Sequence, residues 1–285
     1  MELIQHYLTN NDVYVRNLGR IDERYANFQD IGPKGIMLHS VGYPQPKAMP
    51  IIASWDRPNK EKAVHAFIEP NVLYQTLPWN FRGWHAGGSA NNTHIGVEMT
   101  EPSTIRYTGG STWVDLDPTA TEAFVRATYT NAVELFADLC KQFDWDPMGD
   151  GVILSHAEGH QRGIASNHGD PEHIWRMFGL SMDSFRAAVA EKLQQEEEAE
   201  NAPLFRVQAG AFRKLHYARQ LQKELESALF DTYLVQSDDG LYKVQVGAFR
   251  NKEYAKNLLE DVQNAGFDAY ITTKSGKSVP KDVEA

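Results

Sequence analysis

Short runs of apolar and β-branched residues, each closed by turn formers, recur through the first two-thirds of the chain: Gly35 to His39, His65 to Ile68, Leu73 to Leu77, Ile95 to Met99 and Val152 to Ser155. Their lengths and flanks predict strands. Between the fourth and fifth runs the period changes. Phe124, Thr128, Ala132, Leu135 and Leu139 share one helical face, with Asp117 placed to cap the helix, Pro118 in its first turn, and Thr119 and Glu122 spaced as a capping box. A last helix is expected from Met182 to Leu193. Strands interleaved with helices predict a mixed α/β domain over residues 1–193, a central mixed sheet flanked by helices.

After Leu193 the pattern dissolves into QQEEEAENAP, read as an acidic linker over 194–202. Beyond it the chain repeats itself. FRVQAGAFRKLHYARQL from Phe205 returns as YKVQVGAFRNKEYAKNL from Tyr242, an offset of 37 residues throughout. Each copy opens with strand alternation and then shows an apolar stripe at helical spacing: Ala218, Leu221 and Leu225 in the first, Ala255, Leu258 and Val262 in the second. Further strands at Asp231 to Val235 and Asp268 to Thr272 complete two β-α-β repeats. Residues 203–275 therefore predict a small α+β module with two helices on one face of its sheet, and residues 276–285 a C-terminal tail.

A length of 285 residues suits two domains, and 42% hydrophobic with 23% charged residues is an ordinary globular balance. The formal net charge of -10 argues against clamping nucleic acid or an anionic membrane by broad electrostatics. Glu196, Glu197, Glu198 and Glu200 place much of that charge in the linker, and no apolar run is long enough to span a bilayer. Cys140 is the lone cysteine, so no internal disulfide forms and a core position is expected. The opening MELIQHYLTNNDVYVRN lacks a basic start followed by an apolar run, so synthesis in the cytoplasm without a signal peptide is expected.

Ten histidines sharpen the picture by their placement: His39 ends an apolar strand, and His156, His160, His168 and His173 crowd one stretch. A catalytic zinc site needs three ligands from His, Asp, Glu or Cys and an open fourth position. Any single histidine here could equally be an ordinary hydrogen-bonded residue, so the residues alone leave the ligand set open. His156 and His160 have helical HxxxH spacing, but Ala157 stands where a zinc protease helix carries glutamate.

Four motifs resemble the zinc amidases related to peptidoglycan recognition proteins, the type 2 amidases common among phage endolysins. They are GIMLHSVG, AVHAFIEPNVLYQTLPWN, GWHAGGSANNTHIGVEM and SHAEGHQRGIASNHGDP. The resemblance implies one zinc ion held by His39, His156 and Asp170, with Glu98 as general base and His168 stabilising the oxyanion. It implies cleavage of the amide between the lactyl group of N-acetylmuramic acid and L-alanine in peptidoglycan. Trp84, His85 and Asn92 are expected along the groove, and His160 and His173 compete as ligands. Two alternatives share these residues: a non-catalytic recognition protein on the same fold, and another zinc hydrolase of the same polymer. The doubled VQxGAF pattern resembles the SPOR family, peptidoglycan-binding domains associated with glycan strands stripped of stem peptides. That implies Gln208, Phe212, Gln245 and Phe249 as glycan contacts, although strand alternation turns about half of such residues under the helices. With this target, lysis or holin-type export would carry the chain to the wall, and neither nucleic acid nor membrane is an expected partner.

Overall fold

A computed structural model describes residues 2–280 of the chain. The fold divides into two compact units between Gln195 and Glu196. In the first, β1 (Leu3–Gln5), α1 (Asp12–Gly19) and α2 (Glu23–Ile31) precede β2 (Gly35–Ser40), α3 (Met49–Trp55), β3 (Ala66–Ile68), β4 (Leu73–Gln75) and β5 (His94–Met99). A hairpin of β6 (Ile105–Gly109) and β7 (Thr112–Asp115) follows, then α4 (Pro118–Phe143), β8 (Ile153–Ser155), α5 (His156–Gln161), α6 (Glu172–Trp175) and α7 (Met182–Asn201).

The six-stranded sheet runs β1-β4-β3-β5-β2-β8, all neighbours parallel except β3 with β4. Central β2 is buried along its whole length, as a strand covered on both faces must be. Its residues alternate between two layers: Ile36 and Leu38 join Ile95, Val97 and Met99 of β5 under α4 and α7, in a core that includes Phe136, Trp175 and Phe185. Met37 and His39 therefore face the opposite side, as do Gly96 and Glu98. The α4 helix starts where its pattern predicts, with Asp117 accepting from Ala120 N–H, and it buries Cys140. Burial pushes the Cys140 thiol up to about 12.

The last helix outruns its expected end. α7 continues through the stretch read as a linker to Asn201, because Gln, Glu and Ala are all strong helix formers. Among the described residues no helix is long and apolar enough to cross a membrane.

The second unit contains β9 (Phe205–Phe212), α8 (Leu215–Ser227), β10 (Tyr233–Gln236), β11 (Tyr242–Phe249), α9 (Lys252–Asn264), β12 (Tyr270–Thr272) and β13 (Lys277–Ser278). Its sheet order is β12-β9-β11-β10-β13. Val207, Val244, Val246 and Leu234 pack with Ala218, Leu225, Ala255 and Val262 of the two helices. The expected tail is thus partly structural: Lys277 and Ser278 pair with Gln236 and Val235, while residues 281–285 lie outside the described ones.

Candidate functional site

Parallel pairing of β2 with β5 sets His39 directly beside Glu98 at the carboxyl end of the sheet. The next element contributes His156 by a local device. Ser155 caps α5 in a full capping box with Glu158, so the chain turns from β8 into helix at His156 itself. Arg186 clamps Glu158 with contacts of 3.0 Å, and Ser155 Oγ donates to Glu172 Oε2. Asp170 arrives from the loop before α6, its Oδ2 accepting from Ser40 N–H at 3.2 Å.

These three side chains converge. His39 Nδ1 and His156 Nδ1 lie 2.9 Å apart, and Asp170 carboxylate oxygens lie 3.5 Å from the first and 3.7 Å from the second. Ligand atoms around a tetrahedral zinc are separated by about 3.3 Å, given bonds of about 2.0–2.2 Å. The trio therefore fits a small divalent ion, and all three residues are buried. Burial first, then the neighbouring His39, lower His156 to about 4, which keeps its imidazole neutral and able to ligate. Burial works against the Asp170 charge, but His39, His156 and the Ser40 N–H hold its carboxyl below the usual range.

Outer contacts hold both rings. His156 Nε2 meets Ser166 Oγ at 3.1 Å, and that hydroxyl lies 3.0 Å from His168 Nδ1. Glu98 is half-buried, and its Oε2 is closed to solvent without a hydrogen-bond partner among the described residues. Burial, with the charges of Asp170 and Glu101 adding to it, raises the Glu98 carboxyl well above the ordinary range. An unpaired buried acceptor is costly unless a ligand or reacting group uses it. The group opens into a cavity of about 830 Å³ whose walls include Tyr43, Trp55, Lys62, Trp84, His85 and His168.

Other expected residues lie elsewhere. Exposed His160 has one long side-chain hydrogen bond among the described residues, to Ala165 O at 3.4 Å, and does not enter the trio. His173 is turned into a buried network in which its Nε2 lies 2.5 Å from Tyr107 OH, while the Tyr107 hydroxyl donates to Glu101 Oε2. Glu101 Oε1 in turn accepts from Ser40 Oγ and Gly42 N–H. This network braces both the end of β2 and the segment just after Asp170. Sequence reading missed it, since Glu101 and Tyr107 belong to no periodic pattern. Asn92, expected along the groove, accepts from Arg82 Nε at 2.7 Å. Ser166 was also missed, although its place inside the histidine-rich segment was a signal.

In the second unit, cross-strand pairing aligns Tyr270, Gln208, Gln245 and Tyr233 in one row across four strands. Gln208 and Gln245 are 37 residues apart, as are Tyr233 and Tyr270, so the row has the symmetry of the repeat. It lies on the face away from the helices. The tyrosines are exposed, yet Gln208 and Gln245 are 1% and 4% exposed. Gln208 Nε2 donates to Tyr270 OH at 2.7 Å, and Gln245 is met by the segment Thr273 to Gly276, which joins β12 on one edge to β13 on the other. Gln245 Nε2 donates to Lys274 O at 3.1 Å, and Arg206 Nη1 donates to Thr273 O at 3.0 Å. Five residue steps reach at most about 18 Å, too short to pass around the helices, so the segment straps the open face. A Cβ on Gly276 would come within 2.3 Å of Gln236 O, so the strap lies flush on β10. Phe212 and Phe249, also expected as glycan contacts, are half-buried and pack against the core that the helices cover. Register shifts between β9 and β11 alter the alternation that a straight strand would impose.

Residues 29–173 match the N-acetylmuramoyl-L-alanine amidase family, and residues 201–273 match the SPOR domain. The bifunctional autolysin of Staphylococcus epidermidis is 25% identical over 193 residues, 64% of this chain, and the matched region spans 14% of that protein. The N-acetylmuramoyl-L-alanine amidase CwlH of Bacillus subtilis is 40% identical over 48 residues, 15% of this chain and 19% of its own length. The crystal structure of the Staphylococcus aureus hydrolase AmiA in complex with its ligand shares the fold, with a TM-score of 0.51 and 18% identity, covering 69% of this chain and 85% of that one. The first unit holds the amidase match and its buried His-His-Asp trio, and the second holds the SPOR match; the chain belongs to the N-acetylmuramoyl-L-alanine amidase family and carries a C-terminal SPOR domain.

Proposed function

We propose that the first unit is a zinc-dependent amidase that hydrolyses the bond between the muramic acid lactyl group and L-alanine of peptidoglycan. The observation that carries this reading is the convergence of His39 Nδ1, His156 Nδ1 and the Asp170 carboxylate beside an unpartnered buried Glu98. Zinc bound by the trio would supply Lewis acidity at the amide carbonyl and lower the pKa of water. Glu98 takes the proton of the attacking water and returns it to the departing L-alanine nitrogen; its raised proton affinity suits both transfers. His168 lines the same cavity. Its ring is, on this reading, the donor that steadies the tetrahedral oxygen. Trp84 and His85 form part of the wall along which the glycan or stem peptide lies.

The SPOR domain, on this reading, binds glycan strands freed of stem peptides, the product that the amidase makes. The symmetric row supports it: tyrosine faces stack on sugar rings, and the two amides bond hydroxyls. Access to Gln245 requires the strap to move, and Gln208 is reached by release of its bond to Tyr270 OH.

Metal content and product chemistry test the catalytic reading together. Purified protein is expected to hold about one zinc, as a three-ligand catalytic site does, and to free amino groups from peptidoglycan without new reducing ends. His156→Ala is expected to do neither. Reducing ends from the intact protein, or peptidoglycan binding by zinc-loaded protein with no cleavage, would overturn it.

A further inference from the structure

The cavity wall holds an imidazole whose contacts are those of a support rather than of a substrate ligand. His85 Nδ1 lies 2.9 Å from His39 Nε2, and His85 Nε2 lies 3.1 Å from the main-chain oxygen of His94. A carbonyl oxygen only accepts, so the His85 proton is on Nε2. Its Nδ1 is then bare and can only accept, so His39 must donate from Nε2. That leaves the His39 lone pair on Nδ1, the atom facing His156 and Asp170. One backbone carbonyl thus dictates, through two rings, which nitrogen of His39 is free.

The surrounding chain is shaped around this ring. A Cβ on Gly96 would fall 2.4 Å from the His85 ring, and one on Gly83 would fall 2.9 Å from it, so both positions exclude any side chain. Asn91 Oδ1 accepts from the main-chain N–H groups of both His85 and Ala86, fixing the loop that carries the ring. Both His85 nitrogens are committed inward, so neither is free to hydrogen-bond substrate.

We propose that His85 is a positioning residue: it locks His39 in the Nε2–H tautomer and so presents Nδ1 as a metal ligand. The metal role of His39 is taken from the function proposed above. Outer partners of this kind change metal affinity by about 10–100-fold when removed.

The tautomers themselves provide a test that needs neither metal nor turnover. In the full chain stripped of metal with a chelator, long-range proton–nitrogen NMR of the imidazoles is expected to find protons on Nε2 of both His39 and His85. A proton on His39 Nδ1 would overturn the proposal. Competition with a chromogenic chelator then measures zinc affinity. His85→Phe, which keeps a ring and removes the acceptor, is expected to bind zinc about 10–100-fold more weakly. His85→Asn, whose Oδ1 can replace the acceptor, is expected to recover most of that loss. Equal affinities for the wild type and His85→Phe would also overturn it. Should His85→Phe fail to fold, the wild-type tautomers and His85→Asn still decide. If the wild-type chain takes up no zinc, the metal reading falls, and the NMR result still separately judges the lock on His39.

Discussion

The two units assemble their polar sites from different material. In the first, His39 and His156 are 117 residues apart and come from a strand end and a helix start, with Asp170 added from a loop. No part duplicates another. In the second, the row on the sheet is one Tyr-Gln pair written twice, 37 residues apart, and brought together by antiparallel pairing of β9 with β11. A site of unlike parts concentrates its chemistry in single atoms, so one substitution can abolish it. A duplicated site spreads its contacts over equivalent residues, so one substitution should remove only a share. Substitutions in the two units can break or sharpen that contrast.

The largest effect is expected at Glu98. Glu98→Gln keeps the shape of the side chain and removes the base, so release of amino groups from peptidoglycan should fall by about 10²–10⁴-fold. Zinc content should stay at the wild-type level, because Glu98 is outside the trio. Activity within a few-fold of wild type would remove Glu98 from its role and weaken the claim that this unit rests on single atoms.

A second effect belongs to the buried histidines of the same unit, and is read by pH. His65 Nε2 donates to Phe81 O at 2.6 Å, while its Nδ1 accepts from Gly96 N–H at 3.0 Å. The neutral ring is fully satisfied, and a second proton would face an N–H donor. Burial lowers its pKa from 6.5 to about 4. Between those values the unfolded chain binds the proton and the folded chain does not, so stability falls as pH drops through that window and is fully present above it. The shift corresponds to about 3 kcal/mol. Thermal unfolding from pH 7 to pH 4 should therefore decline less steeply in His65→Gln than in wild type. Parallel curves would show that His65 takes up its proton without cost to the fold.

Legibility in the sequence followed the same divide. The strands that carry the first site were visible as apolar runs because β2, β3 and β5 are covered on both faces. β1 was missed because three residues, Leu3–Gln5, give no period. The β6–β7 hairpin was missed because its residues are mostly exposed or half-buried and alternate too briefly. For the site, motif resemblance named His39, His156 and Asp170, which the fold brings together. Periodicity could not have named them, since convergence of a strand end, a helix start and a loop is a tertiary fact. The same limit hides the bond between Asn92 and Arg82, which crosses a loop, and the Glu101-Tyr107-His173 network. In the second unit the repeat exposed the architecture directly, but not the faces of Phe212 and Phe249, which depend on the register shifts between β9 and β11.

The strap offers a smaller effect of opposite sign. Gly276→Val places a side chain where Gln236 O already lies, so the segment cannot rest on the sheet. Exposing Gln245 should tighten binding to stem-peptide-free glycan by about 10-fold, the effect of roughly 1.4 kcal/mol no longer needed to lift the strap. Sedimentation with glycan strands measures it. Unchanged or weaker binding would mean that the strap leaves the row accessible as it stands, or forms part of the glycan surface.

The smallest single effects test the symmetry itself. A hydrogen bond from an amide contributes about 1 kcal/mol, so Gln208→Ala and Gln245→Ala should each weaken glycan binding by about 5-fold. Because the two residues are equivalent under the repeat, their losses should be similar, and the double variant should lose about the product if each amide holds its own hydroxyl. They are also paired directly across β9 and β11, where residues in contact commonly couple. A double variant no worse than either single one would mean that both amides grip one group on the symmetry axis. Unequal single losses would show that the duplicated halves have diverged in use while keeping their fold, in which case the second unit resembles the first more than its sequence suggests.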